Sequence, residues 1–405
     1  MKKLLKHSQS SVRLHNLRLI LSTIISHEPL SRADLVRLTH ISKPAVSNLV
    51  DELIQRHLVI EIGEGASNAG RKPMLLRFNS TLKYFLVFDM GREDYRVAIA
   101  DLKGNILGKQ SGEFTITQDY QERLALLSTI IAELASKAHI PRESFLKIHG
   151  TASGVYTGEG KGLKWFAGQD MNEYHDIREF FTEKFHIPTL VNHSTKLSLL
   201  GEKASGKAQN FKDVVYIDFA YGLGCAFMID GHICFGPNNS AGELGYFYSH
   251  LQEFNTARIT PYEFGALERI ISGKALQQKG IEAIRKYRHT LIEELADGDT
   301  RQITGKTVFN AARQGDQIAY ALLKESFSYF NMALCNVINL LNPELVIFGG
   351  GFSKSEHILF EFIVPEIQDK VLVMPRLETS ELKDDASIVG AVRYLIDHTD
   401  LFDEL

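Results

Sequence analysis

The chain has 405 residues, 44% of them hydrophobic and 23% charged, with a formal net charge of -4. That is the composition of an ordinary globular protein, long enough for two or three domains. No apolar run approaches the roughly 18 residues that spanning a bilayer requires, and the start MKKLLKHSQS lacks a secretion signal's apolar region, so a cytoplasmic protein without membrane contact is expected. Cys225, Cys234 and Cys335 are widely spaced with no CxxC pair, which excludes a disulfide framework and a cysteine zinc site; each reads as a small buried residue.

Charge is unevenly divided. Residues 1–80 hold 12 Lys and Arg against 6 Asp and Glu, whereas the remainder holds 33 against 43. A basic amino-terminal module on an acidic body implies a polyanion partner for the former alone.

Leu17, Ile20, Leu21, Ile24 and Ile25 recur at helical spacing within Leu14 to Ile25, predicting a first amphipathic helix that stops near Pro29. Ser31 with Asp34 three residues on predicts the capped start of a second helix, with Leu35 and Leu38 inward. A third helix is expected from Ser42, with Pro44 in its first turn and Val46, Leu49, Val50, Leu53 and Ile54 buried. Ser42, Lys43, Ala45, Ser47 and Asn48 then form the face that can touch phosphates or base edges. Leu58 to Ile62 and Met74 to Phe78 read as a hairpin whose tip, Gly63 to Pro73, is a wing. Within it Gly70-Arg71-Lys72-Pro73 resembles the basic hooks that enter a narrow minor groove, with Arg71 and Lys72 as the contacts. The pattern is a winged helix-turn-helix for double-stranded operator DNA; a solvated hairpin on a protein-interaction module is the alternative.

From Tyr84 the chain reads as a body of two α/β halves. Strands at YFLVFDMG and YRVAIADLKGNIL, a helix from Gln118 to Ala138 and a strand from Phe145 to His149 make the first unit. That strand leads into a Gly150 to Val155 loop, whose Ser153 and Gly154 are counted with the ligand-binding set. A comparable order recurs from Val214: a hairpin to residue 235, helices through 307 to 341, a strand Leu345 to Phe348, Gly349-Gly350-Gly351, and a last helix from Ala386 to His398. Val214 to Phe219 and Gly224 to Ile229 alternate poorly and so read as buried strands, and Asp230-Gly231 as a tight turn. The following loop, from Asn238 to Gly245, is small and turn-prone and carries Glu243, which fits either a small-molecule site or a simple closure of the sheet. A cleft between two such halves is where ligands gather.

The winged helix, the Asp89 to Gly91 turn, the AGELGY loop at 241–246 and the triple glycine at 349–351 together resemble the ROK family, in its branch of xylose and N-acetylglucosamine repressors. The resemblance implies an α/β fold: a winged helix at 1–80 and a two-lobed actin-like (ribonuclease-H-like) ROK body, with lobes at 81–195 and 196–405. ROK kinases share a segment close to V-E-N-D-A-N-A-A-A-L-G-E, whose Asn binds sugar and whose Asp is the general base; here Val191 to Glu202 puts His193 and Ser194 at those places. A neutral hydroxyl cannot accept the substrate proton as a carboxylate does, although His193 could titrate near neutrality. Tyr221 replaces the threonine of the phosphate turn and Glu93 that of the first turn, so phosphoryl transfer is not expected. Tyr246 stands for the histidine of the family zinc site and its cysteines are missing, so neither metal nor cofactor is expected. Glu243 and Glu268 remain as carboxylates suited to sugar hydroxyls; Trp165 either stacks on the sugar or packs in the core, and Tyr246 offers a further aromatic face.

The resulting expectation is a sugar-responsive repressor of a carbohydrate operon, a homodimer or tetramer released from its operator by a saccharide inducer held by Ser153, Gly154, Trp165, His193, Ser194, Glu243, Tyr246 and Glu268. An active sugar kinase with a DNA-binding module, or a regulator answering to a protein partner, stays open as an alternative.

Overall fold

Ser31 closes the first helical pair as its sequence predicts. In the computed structural model, which describes residues 9–65, 72–115, 118–152, 155–156, 163–165, 176–256, 264–287, 289–351 and 356–404, α1 (Gln9–His27) leads through the two-residue β1 (Leu30–Ser31) into α2 (Arg32–Thr39). The Ser31 hydroxyl accepts from Asp34 N while the Asp34 carboxylate accepts from Ser31 N, a reciprocal capping box. α3 (Lys43–Gln55) follows a turn of three residues, and Leu17, Ile20, Leu21, Ile24, Leu35, Val46, Leu49, Val50 and Leu53 form the core between the three helices. Leu38, expected inward, is 43% exposed: it stands in the last turn of the 8-residue α2, whose buried residue is Leu35. β2 (Val59–Glu64) and β3 (Met74–Phe78) make the wing hairpin, and β1 adds to it as a third strand that sequence reading did not anticipate.

The first lobe's sheet runs in the order β10-β7-β4-β5-β6, built from β4 (Tyr84–Met90), β5 (Asp94–Asp101), β6 (Ile106–Glu113), β7 (Phe145–Ala152) and β10 (Thr189–His193). Between them lie α4 (Tyr120–Lys137), the small hairpin β8 (Val155–Tyr156) and β9 (Leu163–Trp165), and α5 (Ile177–Phe185). Along β4, Leu86, Phe88 and Met90 enter the core beneath α4 and α5, while Phe85 and Val87 face the opposite cluster. Both faces are covered, which is why the strand reads as a continuous apolar run rather than an alternation. That opposite cluster is the one formed by α1 to α3, so the winged head and the first lobe share one continuous core through Phe78 and Leu102. Glu28 reinforces the junction, accepting Phe78 N at 2.6 Å and pairing with Lys103 at 2.7 Å.

α6 (Ser194–Ser205) carries the chain to the second lobe and straddles the expected boundary after residue 195. There β11 (Val214–Phe219), β12 (Leu223–Ile229) and β13 (His232–Ile233) form the antiparallel half of a sheet ordered β13-β12-β11-β14-β15. Asp230 and Gly231 turn the hairpin at φ 48° and 80°, as expected. After α7 (Leu251–Thr256), α8 (Gly273–Lys286), α9 (Leu291–Glu294), α10 (Gly305–Arg313) and α11 (Gln317–Leu341) come β14 (Leu345–Gly350), α12 (Glu356–Ile367) and β15 (Arg376–Thr379). Each lobe thus has an antiparallel hairpin beside a parallel pair, and Asp89 and Asp218 are the penultimate residues of the corresponding strands β4 and β11.

The chain does not end in the second lobe. α13 (Ala386–His398) lies against α6 and the first lobe's sheet, with Ile388, Ala391, Val392 and Leu395 in the core shared with the head, and α14 (Leu401–Glu404) follows it. The two helices touch backbone to backbone: a Cβ at Gly390 would collide with the Leu197 carbonyl, and one at Gly201 with that of Ala386. No described helix is long and apolar enough to cross a membrane.

Candidate functional site

On the head, Ser42, Lys43 and Asn48 are exposed along α3, and Ala45 and Ser47 are half-buried beside them. Ser42 is the N-cap residue of α3 without a side-chain cap bond. The two acids of this helix, which would repel a phosphate backbone, are both neutralised: Arg32 pairs with Asp51 at 2.8 Å, and Arg13 and Arg56 pair with Glu52 at 2.6 and 3.1 Å. Lys72 is exposed at the base of the wing, and Arg71 lies outside the described residues.

In the cleft, His193 ends β10 and caps α6, its Nδ1 accepting Thr195 N at 3.2 Å. An accepting Nδ1 carries no proton, and burial together with nearby Lys196 pulls the imidazole down to about 3. His193 is therefore neutral at physiological pH, and the possibility that it could titrate there is corrected. Ser194 opens α6 next to it. Glu243 stands at the mouth of the 3-10 turn Leu244–Tyr246, its carboxyl raised by burial and lowered again by Lys196. Tyr246, half-buried, closes the same turn. Glu268 was expected to face the sugar beside Glu243. Instead both of its oxygens accept backbone N–H groups, from Leu223 at 2.9 Å and Gly265 at 3.4 Å, so it is first an anchor for the turn into β12. Burial raises its carboxyl to about 7. Ser153 and Gly154 lie outside the described residues; Trp165 ends β9, which pairs with Val155 on β8.

Lys196 is the site residue that sequence reading missed. It is 1% exposed, and its ammonium donates to the Asn239 carbonyl while facing Glu243. The signal was present: a lysine in a segment of small and apolar residues, at the place of the second Asn of the family segment.

At the ends of β4 and β11 the chain's own charges meet. Asp89, 7% exposed, accepts from Thr151 Oγ1 and lies 3.3 Å from Arg96 Nη1. Arg96 also binds Asp94 at 2.7 Å and approaches Asp384 at 3.7 Å. Asp218 completes the group; burial, then the nearby Asp89, raises its carboxyl to about 7. Tyr221 stands between Arg92, 5.2 Å above its ring, and Lys274, at 5.9 Å. Among the described residues, no three His, Cys, Asp or Glu side chains gather in a way that would hold a metal ion.

Two lobes of matched topology beneath a winged helix define an actin-like body with a DNA-binding type of head. The chain belongs to the ROK family, whose model matches residues 85–398, and a MarR family model matches residues 18–66. It is 26% identical over 393 residues to the xylose repressor of Caldicellulosiruptor bescii, across 94% of this chain and 95% of that one. It is 23% identical over 378 residues to NagC of Escherichia coli K12, a DNA-binding transcriptional dual regulator, across 93% and 87% of the two chains. Its fold is similar to that of a ROK family transcriptional regulator homologous to the E. coli MLC protein, with a TM-score of 0.73 at 24% identity over 95% and 97% of the chains. A ROK glucokinase from Streptomyces griseus, solved with glucose and AMPPNP, aligns with a TM-score of 0.65 at 20% identity over 76% of this chain and 98% of the other. The winged head on an actin-like body is thus the fold expected from sequence.

Proposed function

We propose that this protein is a sugar-responsive transcriptional repressor that binds a two-fold operator as a homodimer, is released when a saccharide enters the cleft, and does not transfer phosphate. Relatives over nearly the full length are repressors named for xylose and N-acetylglucosamine, which supports a sugar effector. The observation that carries the absence of phosphotransfer is Ser194 at the first position of α6, where the resemblance requires a carboxylate base. Loss of a positioned base costs about 10²- to 10⁴-fold. Tyr221 in the phosphate turn and the Glu93 carboxylate at the first turn further oppose a nucleotide.

DNA binding is assigned to Ser42, Lys43, Ala45, Ser47, Asn48, Arg71 and Lys72. The saccharide is assigned to His193, Ser194, Glu243 and Tyr246, with Ser153, Gly154 and Trp165 as further contacts and Glu268 behind the loop. The test pairs two assays on the full chain: gel shift of a duplex selected by the protein from a randomised pool, titrated with D-xylose, D-glucose and N-acetyl-D-glucosamine, and a coupled ATPase assay with the same sugars. The proposal expects a sugar-dependent loss of DNA binding and no turnover; sugar-dependent ATP hydrolysis well above background would establish the kinase alternative.

A further inference from the structure

We infer that α13 and α14 are the element through which the cleft controls the DNA-binding head, with Phe402 as the contact that delivers the signal. The inference rests on the proposed sugar-responsive function and names how the cleft is read out.

The cleft end of the path is fixed to α13 in three places. His149, fully buried on β7, stands between Asn192 and Ala391. A carbonyl can only accept, so Nδ1 donates to Ala391 O at 3.1 Å, which leaves Nε2 to accept from Asn192 Nδ2 at 3.2 Å. Asn192 directly precedes His193, the cap of α6. The second place is the glycine crossing, where Gly201 and Gly390 let the α6 and α13 backbones touch. Tightly packed contacts of this kind leave no compliant side chain between the helices, so they shift together. The third is Glu202, fully buried on α6, whose Oε1 accepts from Ser380 Oγ at 2.6 Å and from Leu382 N at 3.0 Å in the segment entering α13. A displacement at the start of α6 is therefore carried to α13.

The far end reaches the head. Past α13, Asp400 pairs with Arg18 of α1, and the Phe402 ring lies under two guanidinium groups, Arg18 at 6.0 Å and Arg56 at 5.9 Å. Arg56 is the C-cap residue of α3, the helix assigned to the major groove, and it also pairs with Glu52 on that helix. Leu401 and Phe402 pack against the core that α1 and α3 share with the first lobe. One short segment so holds both the first helix and the end of the third, and it is joined to the helix whose start lines the cleft.

The test measures operator affinity of full-length wild type and Phe402→Ala with and without D-xylose and N-acetyl-D-glucosamine, together with calorimetric binding of the same sugars. In the wild type the sugar that binds should weaken operator affinity by the roughly 5- to 150-fold of a typical coupling. In Phe402→Ala, sugar affinity should be unchanged while the weakening falls below about 2-fold. An unchanged ratio in Phe402→Ala overturns the inference, whereas a wild type indifferent to every sugar overturns the function on which it rests. Asp400→Asn is the milder second variant, with the same reduction expected. Hydrogen exchange of the wild type gives a readout independent of any variant: sugar should alter exchange in α6, in residues 399–404 and in α1 together. A change confined to the cleft contradicts the inference.

Discussion

Lys196 donates a hydrogen bond to the carbonyl of Asn239, and so fixes the loop that carries Glu243. Asn239 has φ 56°, a left-handed conformation that the bond helps to hold. A buried ammonium is tolerated only when paired, and here the loop carbonyl and the Glu243 carboxylate share that role.

Lys196→Met should keep the volume and remove the charge. The loop then loses its anchor and Glu243 its counter-charge, so sugar affinity should fall by at least about tenfold, the equivalent of one charge-assisted hydrogen bond. Operator binding without sugar should be unaffected. Calorimetry and gel shift on the same preparation check both statements.

Arg96→Ala removes the guanidinium that pairs with Asp89 and Asp94 and approaches Asp384. Leaving the buried Asp89 carboxylate without its cation should cost about 3 kcal/mol of stability, read as the shift in a urea unfolding midpoint. Ser194→Asp in the wild-type background should not confer ATP-dependent sugar phosphorylation, because Tyr221 and the Glu93 carboxylate still stand where the family turns would hold phosphate.

His149 sets a pH dependence whose sign follows from its burial. Its imidazole is pulled from the ordinary 6.5 down to about 4 by desolvation, with the Ala391 carbonyl opposing. Between these values the unfolded chain binds a proton that the folded chain refuses, so the contribution is intact above pH 6.5 and is lost as pH falls toward 4. Wild type should lose about 2 kcal/mol relative to His149→Gln between pH 7 and pH 5. Glu268 titrates in the opposite sense: raised from 4.5 to about 7, it favours folding below pH 4.5 and loses that contribution as pH rises through 7. Comparing His149→Gln and Glu268→Gln with wild type across the same pH series separates the two.

Lys43→Ala should weaken operator binding about equally across sequences and reduce the salt slope by about one, as loss of a phosphate contact does. Arg71→Ala should weaken binding most at sites flanked by A·T pairs. Anisotropy titrations at several salt concentrations and flanking sequences distinguish the two behaviours.

Local chemistry carried much of this into the sequence. Ser31 with Asp34, Asp230-Gly231 and the span Ala386–His398 all appear where residue identity places them, because caps, turns and helical stripes are decided within a few residues. What was not legible depends on distant partners. Two residues, Leu30 and Ser31, cannot announce that they will join a sheet at Leu76 and Leu75. Glu268 looks like a ligand carboxylate until Leu223 and Gly265 are seen to occupy its oxygens. The apolar stripe of α13 shows that it is buried and not that it returns to the first lobe, which only Gly201 and Gly390 at the crossing make physically possible.

In the proposed mechanism a sugar held at Glu243 loosens the head from DNA. Its most direct test is operator affinity of wild type and Glu243→Ala measured by anisotropy with and without saturating D-xylose or N-acetyl-D-glucosamine. Equal affinity of the two proteins is expected without sugar, and a loss of at least about 5-fold on sugar addition in the wild type alone. Equal responses in both, or none in the wild type, would contradict it.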